Sequence, residues 1–249
     1  FEIIFSTIVL LVWTLGGALN WIDGLWSERV SDPVLMGTLF ILSIMLISSF
    51  IDLPFSIYRN FVLEQKFGFN RMTVKTFIGD FFIDIAQGLI FMVPLSYVIL
   101  YLMDLEAIRD FWWIYVWIVF SLFILTMSWI YPTFIATWKN KFTPLENSAL
   151  KNRITSLLDR TGFKSDGIYV MDGSKRSSHG NAYFTGIGKN KRIVFFDTLL
   201  KGMDDKEIEA ILAHELGHFY HKHTRQRMIN LFVFSFLSLA LLGYLINQV

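Results

Sequence analysis

Five stretches of the chain are long and apolar enough, or nearly so, to cross a bilayer, and that limits the fold more than any other feature. A hydrocarbon core of about 30 Å takes about 20 apolar residues in a helix. The runs are about Phe1–Leu19, Val34–Phe55, Thr76–Met103, Phe111–Trp138 and Met228–Ile246. In lipid, backbone N–H and C=O groups have to bond within the segment, so each run is predicted to be a helix. Pro94 and Pro132 are expected to kink the third and fourth. Trp21, Trp26, Tyr101, Trp112, Trp113, Trp138 and Tyr244 gather at run ends, the placement of an interfacial aromatic belt. Of the 249 residues 54% are hydrophobic and 17% charged, against about 25% charged in soluble domains. That excludes an ordinary soluble enzyme, a disordered chain and a collagen-like one. The class that is left is a mainly α, polytopic membrane protein.

There is no cysteine, hence no disulfide framework and no thiolate ligand or nucleophile. The net charge of +1 argues against a nucleic-acid partner. The chain opens on Phe1 inside an apolar run and closes at Val249 just after another, so it is expected to be a piece of a longer protein. The first run lacks the basic flank and small-residue cleavage site of a signal peptide and is taken as a true span.

Charge alternates between the runs. Segments 20–33 and 104–110 hold one Lys/Arg each, Arg29 and Arg109, whereas 56–75 holds four and 139–227 holds sixteen. The positive-inside rule then puts 56–75 and 139–227 on the cytoplasmic side, in a prokaryotic inner membrane or, in a eukaryote, the ER or nuclear membrane. The expected organisation is a membrane region over 1–138 with four spans, a catalytic domain over 139–227, and a fifth span over 228–249.

Segment 139–227 has the composition of a small soluble domain. Leu145–Arg160 is helix-like. Gly167–Asp172, Asn181–Ile187 and Arg192–Asp197 are predicted strands, rich in aromatic and β-branched residues and divided by Gly, Ser and Lys. Asp204 and Glu207 form a capping-box pattern that should start a helix running to about His221.

That helix carries His214-Glu215-Leu216-Gly217-His218, an HExxH pattern. Two His four apart share one helix face, so their imidazoles can converge on one ion, and imidazole suits zinc. A carboxylate beside the first His is placed to take a proton from water acidified by the metal. The bland alternative is two solvated His on an amphipathic helix. A catalytic zinc takes three protein ligands. The extended HExxHxxGxxH form would need Gly at 221 and His at 224, where the chain has His221 and Thr224. His221 and His223 do not easily reach the same ion from one continuous helix. The third ligand is expected to be a Glu beyond Val249.

With these residues in view, His214–Thr224 (HELGHFYHKHT) resembles the HELGHW-x-x-x-HT stretch of the type I CAAX prenyl proteases, integral-membrane zinc metallopeptidases. Ser174–Gly186 (SKRSSHGNAYFTG), Lys141–Leu150 (KFTPLENSAL) and Glu64–Asn70 (EQKFGFN) resemble three further motifs of that family, in the same order. Phe219 stands where Trp is usual and Ser148 where Gly is usual. The resemblance implies a small α+β, gluzincin-like catalytic domain inserted between spans, and one Zn2+ per protein held by His214 and His218. It implies Glu215 as general base and then proton donor to the leaving amine. It also implies an edge strand through Asn181, Ala182 and Tyr183 that holds the substrate backbone, a role consistent with strand addition of an extended peptide. His179 either orients substrate or is structural, and His223 is expected to cap a helix end. The family's third ligand, a Glu in an ExxAD-like motif, has no counterpart in the chain, and one early and one late span have none either.

Asp80, Asp84 and Gln87 share one face of the third run. Charge in hydrocarbon is costly, so they either line a wet cavity or, for Asp80, lie near the interface. The expected activity is endopeptidase cleavage of a peptide or protein substrate, prenylated at its C-terminus or membrane-bound. Two rivals stay open: a bacterial inner-membrane stress protease, and a catalytically dead scaffold or receptor.

Overall fold

Apolar runs that bond their own backbones become helices, and the computed structural model shows this. It describes residues 2–186, 191–220, 223–246 and 248, with the side chains of Glu2, Ser148, His218 and Phe219 not described. Among the described residues ten α-helices alternate with π and 3₁₀ turns and four short strands: α1 (Glu2–Thr14), α2 (Ala18–Ser27), α3 (Pro33–Tyr58), α4 (Glu64–Lys66), α5 (Val74–Asp104), α6 (Trp112–Ile130), β1 (Phe142–Pro144), α7 (Ser148–Thr161), β2 (Gly167–Met171), β3 (Ala182–Thr185), β4 (Arg192–Phe196), α8 (Asp197–Gly202), α9 (Asp205–Tyr220) and α10 (His223–Ile246). Among the described residues four helical stretches are long and apolar enough to span a membrane: Pro33–Lys66, Val74–Asp104, Trp112–Trp138 and His223–Ile246. The α1–α2 pair makes a fifth if its two bent halves count as one. The chain is a multi-pass, mainly helical membrane protein with one small sheet.

The first run differs from expectation. It is broken, with α1 and α2 bent by 43°. Gly17 sits between them at φ 77°, a left-handed conformation that side chains other than glycine's rarely adopt. Pro94 lies inside α5, whose helix runs on past it, while Pro132 falls in the π turn Tyr131–Ile135 that follows α6. The missing proline N–H and its ring clash explain a widened turn at that point.

The chain divides into two compact units, residues 1–54 with 84–116, and residues 55–83 with 117–249. In the first, Trp26 Nε1 donates to Ser43 Oγ at 2.9 Å, which ties α2 to α3. In the second, Trp117 Nε1 donates to the Phe232 carbonyl at 3.0 Å, and its ring meets Phe236 edge-on at 5.2 Å. α6 and α10 are thereby joined by a polar bond between apolar faces. Trp117→Phe is expected to lower thermal stability in detergent by about 0.5–2 kcal/mol, the range for one interhelical hydrogen bond in a membrane protein. An unchanged melting midpoint would show that the bond contributes nothing.

The sheet has the order β1-β2-β4-β3. β2 and β4 are parallel, and β1 and β3 flank them antiparallel. The predicted strands lie within a residue or two of their places. β1 and α8 had no prediction: β1 is three residues long and contains a proline, too short for an alternating pattern. One face of the sheet packs on α7, α8 and α9. Leu150, Ile154, Leu157 and Leu158 of α7, Ile193 and Phe195 of β4, Leu199 of α8, and Ile208, Leu212 and Leu216 of α9 form one buried cluster. The spacing of 150, 154 and 157/158, and of 208, 212 and 216, is that of a single helix face.

Candidate metal centre and docking strand

α9 starts where the capping box requires. Asp204 Oδ1 accepts the N–H groups of Lys206 (2.8 Å) and Glu207 (2.9 Å), and Glu207 Oε2 accepts the N–H of Asp204 (2.9 Å). The Glu207 N–H is the main reason the Asp204 carboxyl is held below the usual carboxylate range. Ile208, Leu212 and Leu216 then turn one face into the core. His214 consequently projects from the open side of the helix and Glu215 is half-buried. His218 follows His214 by four residues on the same helix; its side chain, like all of His221, lies outside the described residues. Among the described residues no group of three His, Cys, Asp or Glu side chains is placed to hold a metal. The donor chemistry of His214 and the spacing to His218 fit two ligands of a tetrahedral zinc site.

α9 packs against β3, the last strand of the sheet. The Phe196 N–H donates to the Asn181 carbonyl at 2.9 Å. In an antiparallel ladder, bonded and non-bonded pairs alternate. Tyr183 and Thr185, paired with Val194 and Arg192, therefore turn their backbones toward β4. Ala182 and Phe184 turn theirs to the open edge. The Ala182 N–H takes Asn181 Oδ1 at 2.9 Å, as expected of a donor facing away from the sheet. Of the residues expected to hold substrate, Ala182 turns its backbone to the free edge, whereas Asn181 and Tyr183 turn theirs toward β4. The Tyr183 ring meets Phe196 edge-on and its hydroxyl lies 3.9 Å from Met171 Sδ. Burial, with a smaller contribution from Tyr131, pushes that hydroxyl's pKa up to about 12. Phe184, whose main chain shares the open edge, was missed because a motif lists residues and not the parity of a ladder.

Beside this edge lies a cleft of about 550 Å³, lined by Phe184, Thr185 and Gly186 on the strand side and by Met127, Tyr131 and Met228 on the helical side. A larger cleft of about 810 Å³ runs along Ala213, Leu216, Gly217 and Tyr220. His214 and Glu215 do not line it, so the size of that cleft does not mark the metal centre.

His179 has a defined structural place. Its Nε2 lies 3.2 Å from Glu64 Oε2, its ring stacks on Phe69 at 4.1 Å, and its carbonyl accepts Thr198 Oγ1 at 2.8 Å. His223 is the first described residue of α10. The helix end that His223 is expected to cap lies at residues 221–222, outside the described residues. Asp80 is ion-paired: Arg176 Nε and Nη2 donate to its two carboxylate oxygens at 2.6 and 2.7 Å. Asp197 accepts Ser174 N–H at 2.8 Å as well as Ser174 Oγ. Burial alone would raise its pKa, but those bonds outweigh it and the carboxyl lies below its ordinary value.

A helical membrane scaffold with an HExxH helix packed along an edge strand defines a class, the membrane-embedded metallopeptidase fold. Residues 1–141 match the family model described as CAAX prenyl protease N-terminal, five membrane helices, and residues 144–249 match Peptidase family M48. The chain belongs to peptidase family M48. It is 45% identical over 204 residues to CAAX prenyl protease 1 of Saccharomyces cerevisiae, covering 82% of this chain and 44% of that protein. It is 37% identical over 243 residues to a CAAX prenyl protease 1 homolog of Arabidopsis thaliana, covering 97% and 56%. The crystal structure of S. mikatae Ste24p superposes with a TM-score of 0.87 at 38% identity, covering 94% of this chain and 56% of that one. The chain thus spans about half the length of these relatives.

Proposed function

We propose that the protein containing this chain is a membrane-embedded zinc endopeptidase whose substrates include C-terminal tails of the CAAX type, prenylated or held at the membrane. One observation carries the reading: the His214–His218 helix runs beside a strand whose open edge turns outward the Ala182 carbonyl and the main-chain groups of Phe184. In this reading residues 1–138 are the membrane region, 139–227 the peptidase domain and 228–249 a further span. The basic segments 56–75 and 139–227 face the cytoplasm. His214 and His218 hold zinc together with a Glu supplied from beyond Val249. The metal, when bound, supplies a Lewis acid that polarises the scissile carbonyl and makes water a nucleophile near neutral pH. An extended substrate adds to β3 by main-chain hydrogen bonds, which aligns its carbonyl along α9. Glu215 accepts the proton of the attacking water and returns it to the leaving amine nitrogen. The match of residues 1–141 to the CAAX prenyl protease N-terminal region favours this reading over a stress protease.

Metal analysis tests it. The full-length protein should carry about one zinc per chain, and His214→Ala should bring the content down to background while the protein still folds. Undiminished zinc in His214→Ala would take His214 out of the site, and a wild-type protein without zinc would leave the scaffold reading standing.

A further inference from the structure

We infer that Arg176, through Asp80, is a positioning residue that sets the open edge of β3 for substrate. The inference rests on the reading of β3 as the docking strand. β3 has four residues and, among the described residues, is paired on one side only. Its ladder to β4 holds one flank, so the chain leading into it, residues 174–181, decides where the other flank stands. That lead-in is fastened along its length. Ser174 is held by Asp197. Ser177 bridges to Asn70, Ser178 N–H donates to the Phe69 carbonyl at 2.9 Å, and His179 is paired with Glu64. A methyl group at Gly180 would meet the Leu199 backbone at 3.3 Å, which keeps the chain pressed on α8 just before the strand.

Arg176 differs from these other fastenings in what it grips. Besides both oxygens of Asp80, its Nη1 donates to Asn140 Oδ1 at 2.9 Å and its Nη2 to the Lys139 carbonyl at 2.7 Å. Asp80 stands in the second turn of α5, and Lys139 and Asn140 follow directly on the helical stretch that ends at Trp138. One guanidinium therefore references the lead-in to the ends of two membrane helices at once. The pair is largely withdrawn from water, with side chains 18% and 14% exposed for Arg176 and Asp80. A rigid planar fork serving acceptors on three residues is work that a lysine's single ammonium does not do. Four residues separate this clamp from Asn181, so a shift at Arg176 passes into β3 with little chain to absorb it.

The test uses the full-length protein with Arg176→Lys, Asp80→Asn and the apolar pair Arg176→Met/Asp80→Leu. Thermal midpoint, zinc content, kcat and KM are measured for one peptide and for the same peptide N-methylated at successive residues. The wild type should lose affinity at every second N-methyl position, as strand addition demands. Arg176→Lys should keep its zinc, raise KM about tenfold and leave kcat within about threefold, the signature of lost substrate alignment. The apolar pair, which leaves no buried charge unpaired, should recover the midpoint lost in Asp80→Asn yet keep the raised KM. Recovery of KM along with the midpoint would make the clamp purely structural and overturn the inference. So would a wild-type KM in Arg176→Lys, a result that stands even if the apolar pair does not fold. A wild type indifferent to N-methylation at all positions would overturn the docking-strand reading itself, and the inference with it.

Discussion

Glu215→Gln in the full-length protein should keep its zinc and lose at least about a thousandfold in kcat. A general base contributes about 10²–10⁴-fold, and in the proposed mechanism one carboxylate serves twice, at the water and at the leaving amine. Gln has nearly the shape of Glu and accepts hydrogen bonds, but it takes no proton at neutral pH. Position 215 is half-buried on α9 next to His214, so the substitution leaves the Ile208–Leu212–Leu216 stripe and the fold untouched. Peptide affinity should be retained or improved, since substrate is then bound and not consumed. Two measurements decide: metal content by elemental analysis, and cleavage by mass spectrometry of the product ends. Cleavage at the wild-type rate would remove Glu215 from the reaction. Loss of zinc alongside activity would show that the residue orders the site and need not move a proton.

Phe195→Ala should be the most damaging of the core substitutions, costing about 3–5 kcal/mol. Phe195 has no exposed surface and belongs to the cluster formed with α7, α8 and α9. It also lies in β4 opposite Val170 on one side and Ala182 on the other. Truncation leaves a cavity in the core that the sheet and the HExxH helix share, and close-packed interiors fill such a void only in part. Thermal unfolding in detergent should shift downward far more than for Trp117→Phe, with activity falling because less protein is folded. Phe195→Leu should lie between Phe195→Ala and the wild type. A midpoint within a degree or two of wild type for Phe195→Ala would mean that α7 and α9 do not depend on this sheet.

What could be foreseen from residues alone follows the range of the forces involved. The start of α9 was legible, because Asp204 and Glu207 settle it within four residues. So were β2, β3 and β4, whose aromatic and β-branched content is a local signal, and the spans, whose length is imposed by the solvent. The HExxH spacing was legible for the same local reason. The break at Gly17 was hidden by the hydropathy of its neighbours. Bonds between residues far apart in the chain were not visible. Asp80 and Arg176 are 96 residues apart, and Glu64 and His179 are 115 apart. Each had a plausible solitary role in the sequence, a carboxylate near water and a histidine near substrate. Only the fold showed that they are partners. The same holds for Ala182 and Phe184: the strand was foreseen, but which of its residues face outward depends on register with a neighbour.

The Asp80–Arg176 bond also imposes an order of events during biosynthesis. A ribosome adds about 5–20 residues per second, so Asp80 enters the insertion machinery about 5–20 seconds before Arg176 is made. Over that interval Asp80 has not yet met the Arg176 guanidinium that grips both its oxygens in the folded protein. The pair therefore forms only after the segment that carries Arg176 has been made, which ties the final packing of α5 to the folding of the later domain.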